Sequence, residues 1–308
     1  VWGLNIHENL YVLSFQQHPE VGKAPSILGS RPEVSGLEFV NQVVSGAAQS
    51  GDQAYIFGGP YSYIRHVRGS IPAGRNEFSI KGAIPDPPLF AAQHLRKELI
   101  SRGVTISGEA RGKYFAAGDS FLDVEREMIA VHYSPPLREI VRRANHESVN
   151  VYCEALLRMI GMHRGGDGSM QSGIDNLRSF WDDRGLALAG AIFKDGSGLS
   201  RGNSLSARQL ARMLAKIGRD QSIFEPFFAS LPIAGQSGTL KKVLSGTPAE
   251  GKVVAKSGSM GRVRAYAGYI STRSGKQLAF AIMADRFVGE NWLVQRELER
   301  ILLELYQL

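Results

Sequence analysis

The stretch Lys252-Val253-Val254-Ala255-Lys256-Ser257-Gly258-Ser259 decides how this chain is read, because two more strand-like runs and a helix come directly after it. Val253-Val254-Ala255 is a β-branched, apolar run, and it predicts a strand over residues 252–256. Arg264 to Ser271 and Lys276 to Ala284 are the two further strand-like runs. Thr272-Arg273-Ser274-Gly275 lies between them, the composition of a hairpin turn. Trp292, Leu293, Leu298, Ile301, Leu302 and Leu305 then recur at helical spacing and predict a closing helix over 290–307. The expectation is an antiparallel sheet made of 252–256 and the 264–284 hairpin, covered by that helix.

Working back from it, the preceding segment is helical. Ser134-Pro135-Pro136 opens a helix with Leu137, Ile140, Val141 and Ala144 on one stripe. Further helices are predicted from Asn150 to Ile160 and from Ile174 to Arg184. Ser206-Ala207-Arg208-Gln209 has capping-box form ahead of Leu210, Met213, Leu214 and Ile217. The first third is different. Short β-rich runs at 10–15, 40–44, 54–57, 61–67 and 77–81 alternate with turn clusters such as Gly58-Gly59-Pro60. Ile84-Pro85-Asp86-Pro87-Pro88 then precedes a helix carrying Phe90, Ala91, Leu95 and Leu99, which ends at Gly103; residues 104–107 read as one more strand. The chain is therefore α+β, with a β-rich domain at 1–128 and a mixed domain at 129–308.

Composition narrows the function classes. With 43% hydrophobic and 21% charged residues the chain can bury a core, and no apolar run approaches the roughly 18 residues of a membrane span. A net charge of +7 suits an anionic surface without choosing among cell wall, lipid and nucleic acid. No aromatic-basic motif accompanies that charge, so nucleic acid is not an expected partner. Cys153 is the single cysteine, which excludes an intrachain disulfide and a cysteine-rich metal site. The seven histidines form no H-x-x-x-H pair, and neither a dinucleotide fingerprint nor a P-loop is present.

Two small motifs remain: Ser148-Val149-Asn150, between two predicted helices, and Lys256-Ser257-Gly258, at the end of the decisive strand. Taken singly each is short enough to arise by chance, and Ser148 reads equally as a helix N-cap. In this order and setting they match the second and third elements of the serine penicillin-recognising enzymes, S-x-N and K-[ST]-G. The segment Asp195-Gly196-Ser197-Gly198-Leu199-Ser200-Arg201, with Asn203 after it, is more specific. With Leu231-Pro232-Ile233-Ala234-Gly235 and Gly238-Thr239-Leu240, it makes the chain resemble the class C low-molecular-mass penicillin-binding proteins, the D-alanyl-D-alanine carboxypeptidase/endopeptidase family.

The resemblance implies a penicillin-recognising transpeptidase/β-lactamase-like domain preceded by an inserted β-rich domain. It implies acyl transfer on peptidoglycan stem peptides ending in D-Ala-D-Ala, binding of β-lactams, no cofactor, and a periplasmic or extracytoplasmic location. By resemblance Ser148 relays a proton to the leaving amine, and Asn150 holds the substrate amide. Lys256 supplies positive charge near the substrate carboxylate, which Ser257 Oγ hydrogen-bonds. Gly258 leaves the strand edge clear, and the Ser259 N–H is one oxyanion donor. One element is missing: no Ser in the chain has Lys three residues later. The nucleophile and its lysine are expected upstream of Val1, the chain being the C-terminal portion of the enzyme, its domain incomplete at the N-terminus and inactive alone. The alternative is a non-catalytic module that binds peptidoglycan or another anionic polymer. A β-lactamase shares the motif types but leaves the first third unexplained.

Overall fold

The computed structural model describes residues 2–112 and 127–308. The chain divides into two compact units, Val1–Glu127 and Met128–Leu308.

In the first unit β1 (Leu10–Gln16) alternates strictly, and Tyr11, Leu13 and Phe15 are fully buried on one face. It lies between β2 (Ser26–Arg31) and β6 (Glu77–Ala83), antiparallel to both. Tyr11 faces Gly82 across the ladder, and a Cβ on Gly82 would sit 2.3 Å from the Tyr11 ring. The glycine is what lets the ring lie flat over the neighbouring strand. A second sheet places β5 (Ile64–Pro72) between β3 (Glu38–Gly46), parallel to it, and β4 (Gln53–Phe57), antiparallel. Val43, Ala54, Val67 and Ile71 from this sheet share one core with Tyr11, Leu13, Phe15 and Ile80, and with Phe90 of α1 (Pro87–Ser101). Asp86 caps α1 by accepting from Leu89 N at 3.1 Å.

Residues 104–107 form no strand. Val104 N bonds back to Leu99 O at the end of α1 (3.0 Å), and that hydrogen bond turns the chain onto the helix terminus instead of a sheet edge.

The second unit has three layers. Its sheet is β7 (Val253–Met260), β8 (Val263–Ser271) and β9 (Gln277–Asp285), antiparallel throughout in that order. On one face Ala255, Tyr266, Ile270 and Phe280 pack with Leu298 and Leu302 of α7 (Asn291–Gln307). On the other face Val254 and Tyr269 pack with Leu214 of α5 (Ala207–Ile217) and with Phe224, Phe227 and Phe228 of α6 (Phe224–Ser230). Tyr269 is anchored there by donating to Leu214 O at 2.8 Å. The remaining helices are α2 (Leu137–His146), α3 (Asn150–His163) and α4 (Met170–Asp182). The Ser206 capping box forms, its side chain and that of Gln209 each satisfying the other's backbone N–H. The decisive strand does not end at residue 256: it runs to Met260 and returns through Gly261 and Arg262, so Ser257, Gly258 and Ser259 are strand residues.

Candidate active site

The site is built on β7, a strand paired on one side with β8 and only briefly on the other. On that outer side Ala255 N donates to Pro232 O (3.0 Å), and Ile233 bridges Val254; there the neighbouring segment stops. Antiparallel backbones turn their N–H and C=O groups alternately left and right, so Ser257 and Ser259 point theirs the same way as Ala255. Beyond Ala255 the strand therefore presents a row of donors and acceptors that no strand pairs among the described residues. Gly258, whose own N–H and C=O turn toward β8, lies between Ser257 and Ser259 with no side chain to cover the edge.

Side chains alternate as well, and this sorts the polar residues to two faces. Lys256 follows Val254 toward the helical layer, and Ser257 follows Val253 and Ala255 toward the opposite face. Lys256 Nζ donates to Ser148 Oγ at 2.8 Å and to Ser257 O at 2.7 Å, so its head reaches round to the open edge. Burial pulls the Lys256 ammonium below its ordinary pKa of 10.5, and the neighbouring Cys153 opposes this electrostatically. Burial likewise pushes the Cys153 thiol up, with Lys256 acting against the shift and Glu154 adding to it. The thiol is thus the protonated, unreactive form at neutral pH.

Ser148 occupies the junction between α2 and α3 with φ at 58°, in the left-handed region. For a residue with a Cβ this costs about 1–2 kcal/mol. The helix N-cap is Val149, without a side-chain cap bond, so the Ser148 hydroxyl is not spent on capping. Because it accepts from Lys256, its own proton remains available to a third group. Asn150, the first residue of α3, is exposed; its amide takes no partner among the described residues and bonds neither Ser148 nor Lys256.

Two residues given no role by the motifs also belong here. Ser257 Oγ donates to Thr239 Oγ1 at 2.8 Å; Thr239 lies in a 3-10 turn, Gly238–Leu240. Glu154, one turn into α3, receives three hydrogen bonds from the 195–200 loop: from Gly196 N (3.2 Å), Ser197 N (3.0 Å) and Ser197 Oγ (2.6 Å). The loop is closed internally by Asp195, which accepts from Gly198 N (2.9 Å), Ser200 N (2.6 Å) and Asn203 Nδ2 (2.8 Å). The helix that starts beside Ser148 thus also fixes the loop carrying Leu199 and Arg201. Neither Thr239 nor Glu154 has a spacing signal, since each acts on groups remote in sequence.

Two cavities, of about 580 Å³ beside Phe90 and His94 and about 530 Å³ beside Ser204 and Gln209, include none of these residues. Among the described residues no group of three or more His, Cys, Asp or Glu could hold a metal ion. No helix there is long and apolar enough to cross a membrane.

Comparison with known proteins gives the arrangement a context. The chain is 33% identical over 258 residues to a D-alanyl-D-alanine carboxypeptidase of Actinomadura sp. (strain R39), an alignment covering 82% of this chain and 47% of that protein. It is 24% identical over 217 residues to the D-alanyl-D-alanine carboxypeptidase DacB of Haemophilus influenzae, covering 70% and 44%. The chain spans about half the length of the curated relatives it matches. The crystal structure of penicillin binding protein 4 from Haemophilus influenzae, complexed with a β-lactam, superposes with a TM-score of 0.77 at 20% identity over 99% of this chain and 71% of that one. The fold is that of the penicillin-recognising proteins. Residues 1–300 match the model of the D-Ala-D-Ala carboxypeptidase 3 (S13) family, and the chain belongs to that family.

Proposed function

We propose that these residues form the relay and substrate-recognition half of a serine-type D-Ala-D-Ala carboxypeptidase/endopeptidase acting on peptidoglycan stem peptides outside the cytoplasm. One observation carries the reading. Ser148 and Lys256, 108 residues apart, meet at 2.8 Å beside an unpaired strand edge. A peptide laid along that edge pairs with the Ser257 and Ser259 backbone groups as an added strand.

In this reaction a serine Oγ attacks the carbonyl of the penultimate D-Ala. An ester forms, the C–N bond breaks, and D-Ala leaves with a proton; water then takes the acyl group. Ser148 delivers the proton to the leaving nitrogen, and the Lys256 ammonium keeps the hydroxyl oriented and refills it. The Ser259 N–H stabilises the carbonyl oxygen as it gains charge, and the Ser257 hydroxyl takes part in receiving the terminal carboxylate. Asn150, exposed at the start of α3, offers its amide to the substrate backbone. The 308 residues contain no Ser-x-x-Lys, so nucleophile and base come from a segment outside them. The bound β-lactam of the Haemophilus influenzae structure supports β-lactams as substrate mimics here too.

Intact-mass measurement after penicillin treatment tests this. The 308-residue chain is expected to take no covalent adduct, and the longer protein containing its Ser-x-x-Lys segment to take one. A stoichiometric adduct on the short chain would make one of its own serines, Ser148 first, the nucleophile and overturn the assignment of roles.

A further inference from the structure

The open edge of β7 has Ser148 and Lys256 on one face; on the other Ser257 meets Thr239. Ser257 and Thr239 bring two hydroxyl protons, and their mutual bond at 2.8 Å uses one. Ser257 donates in that bond, so the unspent proton is on Thr239 Oγ1. If only Ser257 bound an anion, it would have to give up its bond to Thr239. As a pair, the hydroxyls donate without loss: Thr239 to the anion, Ser257 to Thr239, each bond polarising the next.

The position of Thr239 is fixed by its neighbours. Leu240 beside it is fully buried, and Leu240 O accepts from Gly235 N at 3.0 Å. Gly238, with φ at 53°, is so close to the end of α2 that a Cβ would lie 2.7 Å from His146 O. Thr239 itself is exposed, so a ligand reaches its hydroxyl from solvent. It stands at Ser257, two residues past Ala255, the last β7 residue that the 232–234 segment pairs. A peptide on the edge with its carboxylate at Ser257 brings one carboxylate oxygen within reach of Thr239.

We infer that Thr239 is a substrate-binding residue: its hydroxyl and that of Ser257 together receive the carboxylate of the peptide terminus, or of a penicillin. This rests on the acyl-transfer reading above and adds to it a residue to which the resemblance gives no role.

The test compares acylation of the longer, nucleophile-bearing protein by benzylpenicillin and by its methyl ester, which lacks the negative charge. Loss of a hydrogen bond to a charged group is worth about 10–100-fold. Thr239→Val is expected to slow acylation by the acid about tenfold or more and to leave the ester rate within about twofold. Thr239→Ser, which keeps the hydroxyl, is expected to restore the acid rate. A change in packing alone would slow both ligands together and so overturn the assignment, as would an unchanged acid-to-ester ratio. A wild-type protein that takes no penicillin overturns the acyl-transfer reading, and with it this assignment.

Discussion

β1 and β7 are strands of similar length placed in opposite circumstances. β1 runs between two partners, keeps its alternation from end to end, and buries Tyr11, Leu13 and Phe15 completely. β7 begins buried on both faces, with Val253, Val254 and Ala255, and becomes partly exposed from Lys256 onward. From there on it carries a lysine, two serines and a glycine along an edge that no strand pairs among the described residues. A strand that only has to be stable can obey the local rules throughout; β7, on the proposed reading, also receives a ligand, and it breaks them where the ligand goes.

The largest expected effect lies on the stable side. Phe15→Ala should lower unfolding free energy by about 3–5 kcal/mol, the usual cost of emptying a fully buried aromatic site. Denaturant unfolding would read it, and a change below about 1 kcal/mol would mean that the β1 core is not tightly packed. On β7, Lys256→Ala is expected to leave the fold nearly as stable but to slow penicillin acylation of the longer protein about 10²–10³-fold, the scale of one transition-state stabilising group. Parallel losses of stability and labelling would erase the distinction between the two strands.

Glu154→Ala comes next. It strips two backbone N–H groups and one hydroxyl of the 195–200 loop of their acceptor, at an expected cost of about 1–3 kcal/mol, measured as a fall in thermal midpoint. Ser148→Gly should do the reverse. Removing the Cβ relieves the left-handed backbone, so the variant should gain up to about 1 kcal/mol in stability while losing acylation. A destabilised Ser148→Gly protein would show that the hydroxyl's bond to Lys256 outweighs the strain.

The smallest effect is the pH dependence of Lys256. Its folded pKa is depressed by burial, so just below the ordinary 10.5 the unfolded chain holds more protons than the folded one. Stability from this group therefore rises as pH climbs from the depressed value toward 10.5. The stability of wild type relative to Lys256→Met should increase over that window, and a flat difference would mean the ammonium is as well solvated folded as unfolded.

What is legible without coordinates obeys the same division. The alternation of β1, the capping box at Ser206, the 264–284 hairpin and the last helix are local patterns, and the structure has them. β2 is silent in the sequence because Ser26–Arg31 contains Gly29 and buries no side chain, leaving it no period to detect. α6 is a seven-residue turn rich in phenylalanine and held by Tyr269, a tertiary cause. At the site, Ser148 and Lys256 stand out through their motifs, but their meeting at 2.8 Å is a matter of topology that no spacing expresses. Thr239 and Glu154 accept from groups 18 to 43 residues away; Glu154 has no local mark, and the Gly238-Thr239-Leu240 segment marks Thr239 without giving it a role.

The bond from Lys256 Nζ to Ser257 O has a consequence for the molecule's solubility. A strand edge left open for a substrate is open to any other strand, including the β7 of a second molecule. A lysine head folded over one of its carbonyls keeps a positive charge on the row, and two such edges approaching each other bring two ammonium groups together. A short acidic-ended peptide meets no such repulsion. On the proposed reading the edge thereby admits single peptides that carry a negative charge and turns away copies of itself.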